Sequence, residues 1–252
     1  MKVAIVGGGI GGMTLALSLV DAGIANVNIY ESAPSVEELG VGINVLPHAA
    51  RELSELGLLD ALRAVGISTD EWVLCSKHGQ RIWSEPRGLA AGYRWPQLSI
   101  HRGQLLGVLH RAVCDRLGRE HVRTGHHVVR FGQDTNGVWG ECVERGSGAR
   151  LGHIEADLLV GCDGVHSVVR RTLYPDEGPP KWNGITMWRG VTVAAPFLSG
   201  RRPGPAANVE LWTSHLARRC CSSDVPGRRK RGVPGNHRRP RLSPQTRATA
   251  VG

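Results

Sequence analysis

The sequence of 252 residues lacks any long hydrophobic run. No apolar stretch reaches the about 20 residues that a membrane-spanning helix needs, and the short apolar run over residues 3–10 has no cleavage site of a signal peptide. None of the six cysteines forms a C-x-x-C pair, and Cys220 and Cys221 are adjacent. This spacing predicts neither a zinc site nor a disulfide framework. We therefore expect a cytoplasmic protein with no membrane partner.

Acidic residues are scarce only near the end of the chain. Over residues 201–252, Lys and Arg outnumber Asp and Glu by 12 to 2, whereas residues 1–200 carry 19 basic and 20 acidic residues. From about Ser214 the chain has no hydrophobic period, and Arg, Pro and Gly dominate it. Such a segment buries too little apolar surface to offset the entropy lost on ordering. We predict that residues 214–252 form a disordered tail.

Two explanations of this basic tail compete. A cluster of Arg and Lys can bind nucleic acid or an anionic surface. Alternatively, a shift of reading frame in GC-rich coding DNA produces Arg/Pro/Gly-rich sequence followed by a premature stop. The abrupt change within a strand-like segment favours the frame shift, so nucleic acid is not the expected partner.

The first 32 residues hold the strongest motif. A β-branched apolar run, residues 2–7, predicts a buried strand that leads directly into a G-x-G-x-x-G sequence at Gly7, Gly9 and Gly12. Helical spacing follows from Met13 up to a stop at Gly23, and a second strand, residues 27–31, ends on Glu31. A strand, a glycine loop, a helix and a second strand ending in an acid together predict dinucleotide binding.

Each residue of this motif has a physical task. Gly7 permits the tight turn, Gly9 lets the backbone approach a pyrophosphate, and Gly12 lets the helix pack close to the sheet. The helix N-terminus favours the phosphate charge. Glu31 can accept hydrogen bonds from an adenosine ribose and disfavours a 2′-phosphate there. The alternative is a glycine-rich turn with no function, and the motif alone does not distinguish FAD from NAD.

The middle of the chain mixes helical and strand patterns. A helix is predicted from Pro47, with leucines at helical spacing interrupted at Gly57. Further strands are predicted at 72–75, 80–84 and 156–160, a hairpin at 122–131 and 137–143, and helices after Arg102 and at 165–173. Arg51 is interpreted as a solvated helix residue or, alternatively, as a charge that faces a cofactor. The pattern predicts an α/β protein.

Tryptophans concentrate in two segments of strand-like sequence. Six of the seven lie in 71–96 or in 182–212, so we expect these segments to form one second layer. Their side chains either line a pocket for a planar substrate or pack a small sheet.

A second motif, Gly161-Cys-Asp163-Gly164, follows the strand predicted at 156–160. It places a carboxylate and a flexible backbone at the carboxyl edge of the sheet, where ligands bind in open α/β folds. Asp163 can hold a ribityl or pyrophosphate oxygen directly or through water. Alternatively, it caps the helix that follows.

Three motifs follow one another along the chain: Gly7-x-Gly9-x-x-Gly12 with Glu31, His101-Arg102-Gly-Gln-Leu, and Gly161-Cys-Asp163-Gly164-x-x-Ser167-x-x-Arg170. This ordered set resembles the single-component FAD-dependent aromatic hydroxylases, which include salicylate, hydroxybenzoate and phenazine-carboxylate hydroxylases. The resemblance covers about residues 1–213, and the 40–47 and 187–190 sequences are most similar to the phenazine-carboxylate type.

The resemblance implies a role for each matching residue. Gly7, Gly9 and Gly12 would line the pyrophosphate of FAD, and Glu31 with Ser32 would meet the adenosine ribose. Arg102 would contact the phosphate–ribityl region, and the backbone of Val128 would meet the adenine. Asp163 and Gly164 would serve both FAD and the transient nicotinamide. NAD(P)H would reduce the flavin, which would then use O2 to hydroxylate a small aromatic substrate. No side chain is predicted to act as acid or base.

The same resemblance implies a domain organisation. A Rossmann-like FAD-binding domain with a mainly parallel sheet would comprise residues 1–70 and 98–180. It would be interleaved with part of a β-rich substrate domain, residues 71–97 and 181–213.

A third element of this family, a Gly-Asp-Ala-Ala/Pro-His-like stretch over the flavin, is missing from the sequence. We therefore expect an N-terminal fragment with weak flavin binding and little hydroxylation. The alternatives are an FAD oxidoreductase that does not hydroxylate, and a non-catalytic protein whose basic tail binds nucleic acid.

Overall fold

The computed structural model describes residues 1–76, 78–188 and 215–218, and it describes strands 185–188 and 215–218 by their backbone alone. The strands are, in chain order, β1 (Val3–Val6), β2 (Val27–Tyr30), β3 (Gly42–Val45), β4 (Gly66–Thr69), β5 (Glu71–Cys75), β6 (Arg81–Pro86), β7 (Gln97–His101), β8 (Val122–Arg123), β9 (His126–Asp134), β10 (Gly137–Glu144), β11 (Arg150–Ala156), β12 (Leu158–Gly161), β13 (Ile185–Trp188) and β14 (His215–Arg218). The α-helices are α1 (Ile10–Asp21), α2 (Pro47–Glu55), α3 (Leu59–Val65), α4 (Arg102–Leu117) and α5 (Val168–Leu173).

A parallel sheet in the order β12-β1-β2-β8 forms the centre of the fold. Val3 is in register with Val27 on one side and with Leu158 on the other. All four residues of β1 are buried, as the β-branched run predicts for a strand covered on both faces. The predicted α/β fold with a parallel sheet is confirmed.

The two faces of β1 belong to two different hydrophobic clusters. Val3 and Ile5 pack in a cluster with residues of α1 and α4, including Leu17 and Leu109. Ala4 and Val6 pack in a second cluster with Val128, Cys142 and Ile154 of the antiparallel sheet β11-β10-β9. Because successive strand residues face opposite sides, β1 joins a helical layer and an antiparallel sheet.

The predicted hairpin is the β9–β10 pair. Its turn is closed by Asn136, whose backbone N–H donates to Asp134 Oδ1 at 2.7 Å, and by Gly137, whose φ is +133°. Strand β11 was not predicted, because its first four residues are exposed and its sequence has no regular apolar alternation. Residues 122–123, which we assigned to the hairpin, instead form β8 at the edge of the parallel sheet.

A small antiparallel sheet, β3-β7-β4, was also missed. Strand β7 directly precedes the helix predicted after Arg102, and its neighbours are four-residue strands that each begin with a glycine, Gly42 and Gly66. Strands this short carry too few residues for a period to be recognised.

Two helices begin three residues away from their predicted starts. Helix α1 begins at Ile10 rather than at Met13, so it starts inside the glycine motif. Helix α5 begins at Val168 rather than at residue 165, because Ser167 is its N-cap. The helical stripe after Pro47 is divided by Gly57, whose φ is +73°, into α2 and α3. The interruption at this glycine was predicted.

The β5–β6 hairpin carries two of the tryptophans. The rings of Trp72 and Trp83 meet edge to face with their centroids 5.5 Å apart, and the Arg87 guanidinium lies 4.8 Å from the Trp72 ring centre. These two residues therefore pack on each other, as the alternative of a small packed sheet predicts.

The remaining part of the chain is described only at one strand pair. Strands β13 and β14 are antiparallel, and β14 lies within the 214–252 stretch that we predicted to be disordered. The other residues of that stretch, and residues 189–213 of the predicted second layer, lie outside the described residues. Within the described ranges, no helix has the length and apolar character needed to cross a membrane.

Candidate functional site

The carboxyl ends of three neighbouring parallel strands bring the two sequence motifs together. The Gly7 N–H donates to Tyr30 O at 2.8 Å, and the Cys162 N–H donates to Val6 O at 2.7 Å. The glycine loop after β1 therefore lies between Glu31, which follows β2, and Asp163, which follows β12. This is the edge at which open α/β sheets bind ligands.

Gly7 is required by its backbone and its neighbours. Its φ is +106°, and a Cβ there would lie 2.6 Å from the Cys162 carbonyl carbon and 2.9 Å from Asp163 Cα. Any side chain would force β1 and β12 apart. The absence of a side chain thus allows the two motifs to touch.

The other two motif glycines differ in what surrounds them. A Cβ on Gly12 would overlap the Gly7 carbonyl oxygen and lie 3.3 Å from Ile5 Cγ2, so this residue lets α1 pack on the sheet. A Cβ on Gly9 would have no protein atom within 4 Å. The space in front of Gly9 is open, as the approach of a pyrophosphate requires.

The N-terminus of α1 has the properties of an anion site. Gly9 is the N-cap and supplies no side-chain cap, and the first turn contains no acidic residue. The first helical bond runs from the Met13 N–H to Gly9 O at 3.0 Å, which leaves the earlier first-turn amides available. These amides and the helix dipole fit the two phosphates of a dinucleotide.

Glu31 connects the glycine loop to the chain that follows β2. Its Oε2 accepts from the Gly8 N–H at 2.7 Å, and its Oε1 accepts from the Ala33 N–H at 2.7 Å and from Ser32 Oγ at 3.2 Å. The bond to Gly8 was not predicted, because it depends on the pairing of β1 with β2, whereas the bond to Ala33 is local. The carboxylate therefore holds the glycine loop against the segment that follows β2.

Asp163 accepts hydrogen bonds at the N-terminus of helix α5, beside the N-cap residue Ser167. Its Oδ2 accepts from the Val168 N–H at 2.6 Å, its Oδ1 accepts from the Ser167 hydroxyl, and Ser167 Oγ accepts from the Arg170 N–H at 2.8 Å. The helix-cap interpretation is thus confirmed, while the residue still lies at the carboxyl edge. Partial burial and the neighbouring Asp163 carboxylate raise the pKa of the Cys162 thiol, so this half-buried neighbour of the site remains protonated at neutral pH.

Arg102 is the first residue of α4 and lies on the far side of the 32–41 loop from Glu31. The backbone N–H of Arg102 donates to Val41 O at 2.9 Å, and the Arg102 side chain is exposed. The neighbouring His101 Nε2 lies 2.9 Å from Gly40 O. The structure therefore places Arg102 beside the end of this loop.

Val128 lies in β9, in the antiparallel sheet on the face of β1 opposite to α1 and α4. It is buried and pairs with Cys142, and β9 is the edge strand of its sheet. The N–H of His126, two residues earlier, donates to Glu31 O at 2.8 Å. Strand β9 thus begins directly beside the predicted ribose position.

Two other charged candidates are explained by local pairs. Arg51 contacts Glu52 and Glu55 on the surface of α2, which supports its interpretation as a solvated helix residue. Arg170 pairs with Glu177. Within the described part of the chain, no group of three or more His, Cys, Asp or Glu side chains is arranged to hold a metal ion.

Comparison with known proteins agrees with this geometry. Residues 1–215 match the FAD binding domain family. The phenazine 1,6-dicarboxylic acid hydroxylase of Lysobacter antibioticus is 47% identical over 199 residues, which are 79% of this chain and 49% of that protein. The aurachin C monooxygenase/isomerase of Stigmatella aurantiaca is 36% identical over 192 residues, 76% of this chain and 47% of that protein. The chain spans about half the length of these relatives.

Solved structures show the same fold. The 2,6-dihydroxypyridine-3-hydroxylase of Arthrobacter nicotinovorans matches with a TM-score of 0.59 and 28% identity, over 79% of this chain and 45% of that one. A variant of HpxO from Klebsiella pneumoniae, complexed with FAD, matches with a TM-score of 0.63 and 25% identity, over 77% of this chain and 48% of that one. With its glycine loop, Glu31 and Asp163 on one sheet edge, this chain belongs to the FAD binding domain family.

Proposed function

We propose that this chain is the FAD-binding part of a monooxygenase that hydroxylates a small aromatic carboxylate with NAD(P)H and O2. The observation that carries the proposal is the shared sheet edge, where an open α1 N-terminus lies between Glu31 and Asp163. The hydroxylase from Lysobacter antibioticus, at 47% identity, supports an aromatic carboxylate as the substrate class.

The pyrophosphate of FAD would bind in front of Gly9, at the α1 amides. Gly7 and Gly12 would shape this loop, since side chains there would collide with Cys162 and with the loop itself. Glu31, with Ser32, would bind the adenosine ribose through carboxylate oxygens that already order the loop. The backbone of Val128, on the edge strand that begins beside Glu31, would meet the adenine.

The other half of the cofactor would lie between Arg102 and Asp163. The exposed Arg102 guanidinium would neutralise phosphate near the ribityl chain. Asp163 and Gly164, whose φ is +78°, would bring carboxylate and backbone close to FAD and to the transient nicotinamide. When bound, FAD supplies the redox chemistry, and the protein supplies position and the exclusion of water.

We also propose that residues 1–70 and 98–180 form the FAD-binding domain and that 71–97 and 181–213 belong to the substrate domain. The β5–β6 hairpin supports this division, because it is a separate two-stranded sheet. A cytoplasmic location is supported by the four described cysteines, which are all unpaired thiols.

FAD binding and hydroxylation are tested separately, because the chain spans about half the length of its relatives. A titration of the chain into FAD, followed by flavin fluorescence, is expected to show saturable binding at one FAD per chain. Oxidation of NADH and NADPH is then compared with and without phenazine and benzoate carboxylic acids, and products are examined for one added oxygen atom. Unchanged flavin fluorescence would contradict the cofactor proposal. Cofactor oxidation without an oxygenated product would instead favour an FAD oxidoreductase that does not hydroxylate.

A further inference from the structure

Helix α4 carries two buried glycines one turn apart, Gly103 and Gly107. Both are buried because the 32–41 loop lies on them through Glu38. A Cβ on Gly103 would lie 2.5 Å from Glu38 Cα and closer still to its carbonyl group. A Cβ on Gly107 would overlap Glu38 Oε1 and lie 3.0 Å from its Cδ. The loop backbone therefore rests directly on the helix backbone.

The same loop is held on both sides of Glu38. Val36 packs against the helix-side hydrophobic cluster. The Arg111 guanidinium lies 3.6 Å from Glu38 Oε1, although both side chains are more than half exposed and the pair adds little. Gly40, with φ of +129°, would bring a Cβ to 3.3 Å from Arg102 Cβ. The contact with Gly103 is the one that no side-chain adjustment can relieve.

The loop joins the two halves of the proposed cofactor site. It begins at Ser32, directly after Glu31, and it ends at Val41, which accepts the Arg102 N–H. The distance between the loop and α4 therefore affects the position of Glu31, at the proposed adenosine site, relative to Arg102.

We propose that Gly103 is a positioning residue for FAD, because it seats the 32–41 loop on α4 and so aligns Glu31 with Arg102. This inference rests on the proposed function. Gly103 does not contact the cofactor in this proposal, and its effect passes through the loop. The i, i+4 spacing of Gly103 and Gly107 is visible in the sequence, but only the fold shows that a loop covers it.

The two glycines provide a matched pair of variants. Gly103→Ala places a methyl group against the Glu38 backbone, which has to move. Gly107→Ala meets only the ends of two flexible side chains, those of Glu38 and Arg111, which can rotate away. Both changes replace glycine by a stronger helix former in the same helix, so a difference between them reports on the loop.

The first measurement is FAD affinity by fluorescence titration. We expect Gly103→Ala to weaken FAD binding by about tenfold or more and Gly107→Ala to change it by less than about twofold, as the difference between a backbone clash and a side-chain adjustment predicts. Equal affinities for both variants would overturn the inference. If the unsubstituted chain does not bind FAD, the proposed function fails. The packing of the 32–41 loop on Gly103 is then tested by the second measurement alone.

The second measurement needs no cofactor. A Glu-specific protease is added to each folded chain, and cleavage after Glu37 and Glu38 is followed by mass spectrometry. Gly103→Ala is expected to be cleaved there faster than Gly107→Ala, while cleavage after Glu144 stays the same. Equal rates of cleavage after Glu37 and Glu38 in the two variants would refute the proposed packing of the loop on Gly103. If Gly103→Ala does not fold, Glu38→Gly loosens the loop without altering α4, and it has to show the same faster cleavage after Glu37.

Discussion

The sharpest test of the proposed cofactor site compares two neighbouring glycines, Gly9 and Gly12. An alanine at Gly9 meets no protein atom, and the φ of −77° at this residue suits any side chain. An alanine at Gly12 overlaps the Gly7 carbonyl oxygen, a backbone atom that cannot rotate away. The same chemical change therefore has to affect folding at one position and ligand access at the other.

The structure gives the expected magnitudes. Gly9→Ala should leave the free energy of unfolding within about 0.5 kcal/mol, since a small loss at the N-cap and a gain from the stiffer unfolded chain oppose each other. Gly12→Ala should lower it by about 1–3 kcal/mol through overpacking, partly offset by its better helix propensity. For a chain of this length, a loss of about 2 kcal/mol lowers Tm by about 4–8 °C.

The assay combines thermal unfolding with FAD titration. Gly9→Ala should unfold like the unsubstituted chain and yet bind FAD about tenfold more weakly, which corresponds to about 1.4 kcal/mol. Gly12→Ala should unfold at a lower Tm than the unsubstituted chain. The reasoning is refuted if Gly9→Ala is as unstable as Gly12→Ala, or if Gly9→Ala binds FAD with unchanged affinity.

Three further predictions concern the polar groups around the site. Asp163→Ala should lower the free energy of unfolding by about 1–3 kcal/mol, because the Ser167 hydroxyl and the Val168 N–H lose their acceptor. Asp163→Asn should lower it by less, and equal urea midpoints of the two variants would contradict this. Glu31→Gln should weaken FAD binding by about tenfold, since one carboxylate oxygen becomes a donor that faces a backbone N–H, and an unchanged titration would argue against this role. Burial raises the pKa of Cys142 from 9.0 to about 11, so the folded state holds this proton more tightly than the unfolded state. The resulting stability should be complete below pH 9 and be lost as the pH rises toward 11, and Cys142→Ala should unfold with a weaker pH dependence over that window.

The elements that were predicted correctly have long or distinctive patterns. The buried β1, the β9–β10 hairpin and the break at Gly57 each follow from local chemistry, such as a β-branched run or a glycine that takes a positive φ. Of the strands that were missed, β3 and β4 are four residues long and β11 is largely exposed. Such segments become strands because neighbours pair with them, and their own sequences carry little preference.

The candidate site divides in the same way. Gly7, Gly9, Gly12, Glu31 and Asp163 were identified from sequence because a phosphate loop, a terminal acid and an Asp-Gly turn need those residue types at fixed spacing. Asp163 lies far from the glycine loop along the chain, and only the parallel pairing of β1 with β2 and β12 shows that the loop, Glu31 and Asp163 share one edge.

By itself, the sequence determined the fold class, the dinucleotide motif and the residue types at the site. These properties depend on local conformational preference and on the short-range order of glycines, apolar residues and acids. The tertiary structure decided which groups touch. It paired the Glu31 carboxylate with the Gly8 amide, placed Asp163 beside Gly7, and packed the Glu38 backbone against Gly103. Each of these contacts joins residues far apart in the chain, so they follow from the packing of strands and helices.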